Sequence, residues 1–167
     1  MKGPVPTTDC VATAQPPEDD LDWEEDSTLP GIASTRHVLV VEDDSSLREL
    51  MARQLAFEGY FVTEASDAQA MLEAVQSSCE SCQNTFDLIV TDVRMPGMTG
   101  LDALARIRES GCHTPAIVVS ALPGEMVQSE VQALNALLLP KPFALENLRQ
   151  IVNRVVYGDQ CQKLATI

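Results

Sequence analysis

From His37 to Val156 one pattern repeats five times: a short apolar run, then a stretch with apolar residues at helical spacing. Val38-Leu39-Val40-Val41 is apolar without alternation, as in a strand covered on both faces. Ser45-Ser46 then opens a helix carrying Leu47, Leu50, Met51 and Leu55, with Asp44 as its cap and Gly59 closing it. Tyr60 to Thr63 is a second strand, and Ser66-x-x-Gln69 reads as a capping box for a helix with Met71, Leu72 and Val75. Residues 78–85 read as a polar loop. Asp87 to Thr91 is the third strand, and Thr99 caps a helix bearing Leu101, Leu104 and Ile107. Pro115 to Val119, a helix from Gly124 to about Asn135, Leu137 to Leu139, and a helix from Phe143 to Val156 ended by Gly158 complete the series. Five strand–helix units predict an α/β domain: a doubly wound parallel sheet with helices on both faces and right-handed crossovers.

In such sheets ligands bind beyond the carboxyl ends of the strands. There the sequence places Glu42-Asp43-Asp44 after the first strand, Asp92 after the third, Ser120-Ala121 after the fourth and Lys141-Pro142 after the fifth. Clustered carboxylates repel one another unless compensated. A hard divalent cation relieves that repulsion, and oxygen ligands with retained waters suit Mg²⁺. A metal among carboxylates, with a hydroxyl and an ammonium beside it, is a constellation for phosphoryl transfer. A carboxylate is then a competent nucleophile, forming an aspartyl-phosphate.

Four stretches carry a resemblance: Val40-Val41-Glu42-Asp43-Asp44, the run from Thr91 to Gly100 (Thr-Asp-Val-Arg-Met-Pro-Gly-Met-Thr-Gly), Val119-Ser120-Ala121 and Leu139-Pro140-Lys141-Pro142-Phe143. In this order, each at a strand end, they resemble the response-regulator receiver domain of two-component signalling. The resemblance implies a flavodoxin-like (βα)5 fold with strand order 2-1-3-4-5. It implies that Asp92 accepts a phosphoryl group from a histidine kinase or phosphotransfer protein. Asp43 and Asp92 would bind Mg²⁺ directly, Glu42 through water, and the Arg94 carbonyl would complete the protein ligands. Ser120 would bond the phosphoryl group and move with it, Lys141 would pair with a phosphoryl oxygen, and the backbone at Arg94 and Ala121 would contact it. The Lys141-Pro142 bond would be cis.

One departure stands out. Receivers commonly carry an aromatic switch residue three positions before the lysine, and here that position is Leu138. The run Ala133-Leu134-Asn135-Ala136-Leu137-Leu138 is apolar where the family is glycine-containing and acidic. The face made by the fourth helix, fifth strand and last helix is therefore expected to be apolar, an interface for a partner or an oligomer. Full burial of Leu134, Leu137 and Leu138 would sink that expectation.

Composition narrows the partners. Eleven basic against 25 acidic residues give a net charge of −14, which disfavours nucleic acid and anionic membranes. No apolar run is long enough to span a bilayer and the N-terminus lacks a secretory h-region, so a cytoplasmic protein is expected. Residues 1–36 hold five of the ten prolines and eight acidic residues against Lys2 and Arg36. They read as a disordered extension, with Leu21-Asp22-Trp23 a candidate docking motif. The domain is expected over 37–157, with 158–167 a short tail too brief for a DNA-binding output domain. Five cysteines fit reduced thiols, and Cys79-x-x-Cys82 lacks the partners for a zinc site.

The expected function is a phosphorylatable receiver that signals by protein contact and is not a turnover enzyme. The competing reading is a phosphorylation-independent scaffold acting through the Leu138 face. An aspartyl-phosphate phosphatase of haloacid-dehalogenase type would need an acid two residues after Asp92, where Arg94 stands. A dinucleotide binder would need a Gly-x-Gly-x-x-Gly after the first strand. His37 and His113 lie on no long dimerising helix, so a histidine-kinase role is not expected.

Overall fold

The computed structural model describes residues 36–80 and 86–158, without the side chains of Cys79 and Glu80. Strand β1 (His37–Val41) leads to helix α1 (Ser45–Phe57), β2 (Phe61–Ala65) to α2 (Ala68–Glu80), and β3 (Leu88–Asp92) to α3 (Gly100–Glu109). Then come β4 (Ala116–Ser120), α4 (Glu125–Ala133), β5 (Ala136–Pro140) and α5 (Leu145–Tyr157). The five strands form one parallel sheet in the order β2-β1-β3-β4-β5. The alternation of runs predicts the parallel sheet, and this strand order is the flavodoxin-like (βα)5 arrangement that the family resemblance implies.

Burial follows from the strand sequences. Every residue of β3 and β4 is buried, as central strands covered on both faces must be. Leu39, Val41, Ile89 and Val118 pack on one side against Met71, Leu104 and Val131 of α2, α3 and α4. Val38, Val40, Val90 and Val119 pack on the other against Leu55 and Leu148 of α1 and α5. At the entry to the sheet, Asp87 accepts from the His37 backbone N–H at 2.8 Å and pairs with Arg36 at 2.7 Å. It pins the start of β1 to the start of β3.

Helix starts follow capping chemistry, with one correction. Asp44 caps α1, accepting from the Ser46 and Leu47 N–H groups. Thr99 and Asp102 form a reciprocal capping box on α3. For α2, however, the cap is Asp67 and not Ser66. The Ala70 N–H donates to Asp67 Oδ1 at 2.8 Å, while the Ser66 hydroxyl merely donates to the same carboxylate at 3.0 Å. A carboxylate facing helix N–H groups wins over a hydroxyl because it also meets the positive end of the helix dipole. The expected loop at 78–85 is also shortened, since α2 continues to Glu80. Residues 81–85, Cys82, the Cys79 side chain and the Leu21-Asp22-Trp23 motif lie outside the described residues.

The apolar run before the lysine is only partly covered. Leu137 is 45% exposed, while Leu134 and Leu138 are half-buried and pack against the α2–α3–α4 cluster. Leu122 and Met126, in and just after the β4–α4 connection, are also exposed. Full burial, which would have sunk the expected apolar face, is not observed.

His37 supplies a pH-dependent stability term. Its ring sits 4.6 Å from the Phe61 ring and 4.3 Å from the Phe86 ring, and Nε2 hydrogen-bonds Thr63 Oγ1 at 2.8 Å. Burial among these groups lowers its pKa below 6.5, against the opposing pull of Asp87. The neutral ring is favoured in the fold, so its stabilisation is present above pH 6.5 and is lost as pH falls toward the lowered folded value. Urea midpoints between pH 7.5 and 5.5 should fall more steeply for wild type than for His37→Phe. Parallel slopes would refute this assignment.

Candidate functional site

Strand order decides which side chains meet. With β1 beside β3, the residues following β1 come next to the end of β3. Glu42, Asp43 and Asp92 each bring a carboxylate oxygen within 4.8 Å of the others. Glu42 and Asp92 are buried and Asp43 is exposed, so the cluster opens to solvent on one side. A cleft of about 490 Å³, lined by Asp43, Asp67, Gln69, Pro96 and Met98, leads to that open side.

Lys141 enters from β5. Its backbone N–H donates to the Ser120 carbonyl at 2.7 Å, tying the ends of β4 and β5. Its ammonium lies 2.8 Å from Glu42 Oε2 and 3.1 Å from Asp92 Oδ1. The lysine thus bridges two buried carboxylates. Burial pushes the Glu42 carboxyl above its ordinary value, with the Lys141 hydrogen bond opposing and the Asp92 charge adding. Burial also works against the Lys141 charge, but the hydrogen bonds and fields of Glu42 and Asp92 together outweigh it and hold the ammonium above the ordinary lysine value.

The remaining expected residues fall around this bridge. The Arg94 N–H donates to Asp92 Oδ2 at 3.2 Å, while the Arg94 side chain is exposed. Ser120 is buried, and its hydroxyl accepts from the Leu122 N–H at 3.2 Å. Ala121 follows it at the end of β4. Leu138 lies apart, beneath α4 in the α2–α3–α4 cluster. Asp44 is the α1 cap and not a member of the acidic cluster. The Lys141-Pro142 peptide bond is cis.

Three supporting residues escaped the sequence reading. Thr91 is fully buried and its hydroxyl donates to the Asp92 carbonyl at 3.2 Å. Gly100 packs so closely that a Cβ there would lie 2.0 Å from the Asp92 carbonyl oxygen and 2.5 Å from Thr91 Oγ1. Arg48 donates to the Glu42 carbonyl at 2.6 Å. The Thr99-Gly100 pair at a helix start was a visible signal for the close packing. A lone arginine on an amphipathic helix gave none.

As chemistry, the site offers a buried carboxylate held by a backbone N–H and a lysine, with hard oxygen donors beside it. Three carboxylates within 4.8 Å, one of them exposed, suit a hydrated divalent cation better than a soft metal. The parallel sheet in the order β2-β1-β3-β4-β5, with five helices, defines the flavodoxin-like class. Within it, the model of the response regulator receiver domain matches residues 38–153, and the chain belongs to that family of two-component signalling domains.

The response regulator MprA of Mycolicibacterium vanbaalenii is 38% identical over 129 residues, covering 73% of this chain and 52% of that protein. MprA of Mycobacterium avium is 35% identical over 135 residues, covering 77% and 56%. The chain spans about half the length of these curated relatives. Among solved structures, the chemotaxis protein CheY4 of Vibrio cholerae aligns with a TM-score of 0.66 at 30% identity, over 73% of this chain and 99% of that one. The response regulator TrrA of Thermotoga maritima, solved in complex with Mg²⁺-BeF, aligns with a TM-score of 0.62 at 26% identity, over 72% and 98%. No helix among the described residues is long and apolar enough to cross a membrane.

The Gly100 contact generates a prediction. Gly100→Ala forces its Cβ into the Asp92 backbone, so urea denaturation should show a loss of about 1–3 kcal/mol, the usual range for overpacking a close-packed position. Unchanged stability would mean that the α3 start has slack against β3.

Proposed function

We propose that the chain is a phosphorylatable receiver, taking a phosphoryl group on Asp92 from the phosphohistidine of a histidine kinase or phosphotransfer protein. The observation that carries this reading is the Lys141 ammonium held between the buried carboxylates of Glu42 and Asp92, 2.8 and 3.1 Å away. Such a bridge holds the nucleophile and its cationic partner in contact before any donor arrives.

Asp43, Asp92 and the Arg94 carbonyl would hold Mg²⁺ directly and Glu42 would hold it through water; the ion supplies positive charge that offsets the carboxylates and the phosphoryl oxygens. TrrA, solved with Mg²⁺-BeF, supports this choice of cation. A carboxylate oxygen of Asp92 attacks phosphorus in line, and the P–N bond to the donor imidazole breaks, leaving its electron pair on nitrogen. Lys141 exchanges its carboxylate contacts for a phosphoryl oxygen. The Arg94 and Ala121 backbone N–H groups donate to the same group, and the Ser120 hydroxyl turns to it from the Leu122 N–H. Water later hydrolyses the acyl phosphate, so the chain resets itself and turns over no separate substrate. The partners are a kinase or phosphotransfer protein upstream and a protein target downstream, in the cytoplasm.

A second reading is a phosphorylation-independent scaffold, which Leu138 and the exposed Leu122, Met126 and Leu137 favour. Intact-mass spectrometry after incubation with MgCl₂ and acetyl phosphate separates the two. One phosphoryl adduct is expected on wild type, none on Asp92→Asn, and none in excess EDTA. Lys141→Ala should slow its formation at least about 100-fold, the usual consequence of removing one donor to the transferring group. No adduct on wild type, with acetyl phosphate or with a phosphorylated histidine-kinase donor, would overturn the receiver reading in favour of the scaffold.

A further inference from the structure

Arg48 sits in the first turn of α1, its N–H bonded to the Asp44 carbonyl at 2.9 Å. Its side chain is 18% exposed and turns back toward the sheet. Nη1 donates to the Glu42 carbonyl at 2.6 Å, and Nε lies 3.4 Å from Glu64 Oε2 on β2. One planar guanidinium therefore joins α1, the end of β1 and the end of β2.

The location of that bond gives it meaning. The β1–β2 ladder takes one step past the strand, with the Glu42 N–H donating to Ala65 at 3.2 Å. In a parallel ladder the carbonyl of the same residue points toward the same neighbour. Beyond Ala65, however, the chain has already turned through Ser66 and Asp67 into α2. The Glu42 carbonyl takes its hydrogen bond from Arg48 instead. That carbonyl belongs to the peptide joining Glu42 to Asp43, the two acidic residues of the cluster. Glu42 is thus held at its backbone by Arg48 and at its carboxylate by Lys141.

We propose that Arg48 is a positioning residue for the acidic pair, fixing the Glu42–Asp43 peptide so that both carboxylates face a divalent cation. The inference rests on the magnesium-dependent reading above. Lys141 must leave Glu42 to meet a phosphoryl oxygen, whereas Arg48 touches no reacting group and its hold persists through the transfer. The sign of its effect separates positioning from bare charge. A cation near a metal site repels the metal, so Arg48 acting through its field alone would weaken Mg²⁺ binding, and removing it would tighten binding. A positioning role predicts the reverse, because groups that orient metal ligands typically contribute 10- to 100-fold in affinity.

The test is the Mg²⁺ dissociation constant of the full chain, from backbone amide shifts of Val93, Gly100 and Ser120 in an NMR titration with MgCl₂. Urea unfolding without Mg²⁺ checks that each variant is folded. Arg48→Met, which keeps the stem and loses the donors, should raise the constant about 10-fold. Arg48→Lys should recover part of that loss, since an ammonium can reach the Glu42 carbonyl but cannot also bridge to Glu64. Glu64→Gln, which removes the ion pair and leaves the bond to Glu42, should stay near wild type. A constant unchanged or lowered in a folded Arg48→Met variant would overturn the proposal while leaving the receiver reading intact. Absence of Mg²⁺ binding by wild type would remove that reading and this inference together.

Discussion

Three carboxylates gathered at the end of two adjacent strands form a contact that a fold does not make without compensation. Like charges this close raise one another's energy, and burying Glu42 and Asp92 raises it further. The structure answers with Lys141, and much of the architecture serves to deliver it. The strand order places β5 two positions from β3, so the cation must cross β4 to reach Asp92 and β3 to reach Glu42. A four-carbon flexible stem with a compact charge suits that reach, where a rigid planar fork would not. The Lys141 N–H bond to the Ser120 carbonyl fixes where the stem begins. An ion pair buried this way is weak evidence for stability. On the proposed reading, its value is that the carboxylates stay poised for a divalent cation and the ammonium for a phosphoryl group.

The same constraint explains why so much of the site was legible in the sequence. Side chains at strand ends in a parallel sheet have one place to go, so the sequence alone places Glu42, Asp43, Asp92, Ser120 and Lys141 at the same end of the sheet. The continuous apolar runs fixed the strands to within about two residues, because a strand buried on both faces leaves little freedom in where polar residues stand. Strand order itself came from the family resemblance and not from the pattern, since five βα units permit several windings. What stayed hidden depended on competition between close alternatives. Ser66 and Asp67 are both good caps, and helix direction and charge decide between them only once the backbone is placed. Thr91 looked like any β-branched strand residue, and its hydroxyl matters only because it meets the Asp92 carbonyl. Nothing in the sequence distinguishes Arg48 from a solvated helical charge; its role comes from the early departure of β2, which leaves the Glu42 carbonyl for it to take.

Ser120 links this electrostatic centre to the rest of the molecule. Its carbonyl holds the Lys141 backbone N–H and its hydroxyl holds the Leu122 N–H, so one residue anchors the backbone that carries the lysine and the start of the β4–α4 connection. Of the described helices α4 is the least anchored. It has nine residues, Val131 is its one buried side chain, and Gly124 gives its first turn no side-chain cap. Elements with few buried contacts are the ones whose local equilibrium a small free-energy change can shift. On the proposed reading, turning the Ser120 hydroxyl toward a phosphoryl group frees the Leu122 N–H at the entrance to this helix. The cost of that lost bond is on the order of 1 kcal/mol, comparable to what holds a loosely packed helix in one position.

Leu138 changes how such a shift would be read. An aromatic ring at this position has two well-separated places to sit, one under α4 and one at the surface. A leucine already half-buried in the cluster beneath α4 has less to gain by moving. On the proposed reading, what remains to report the state of the site is α4 itself, together with Leu122, Met126 and Leu137, exposed in and around the stretch from β4 to β5. An apolar surface of that kind is covered most favourably by an apolar partner surface, and its coverage depends on where α4 sits. The apolar residues that replace the family's polar run therefore do more than omit a switch. On the proposed reading, they turn the position of the least-anchored helix into a difference in buried apolar area, and that difference is a free energy which a protein target can read.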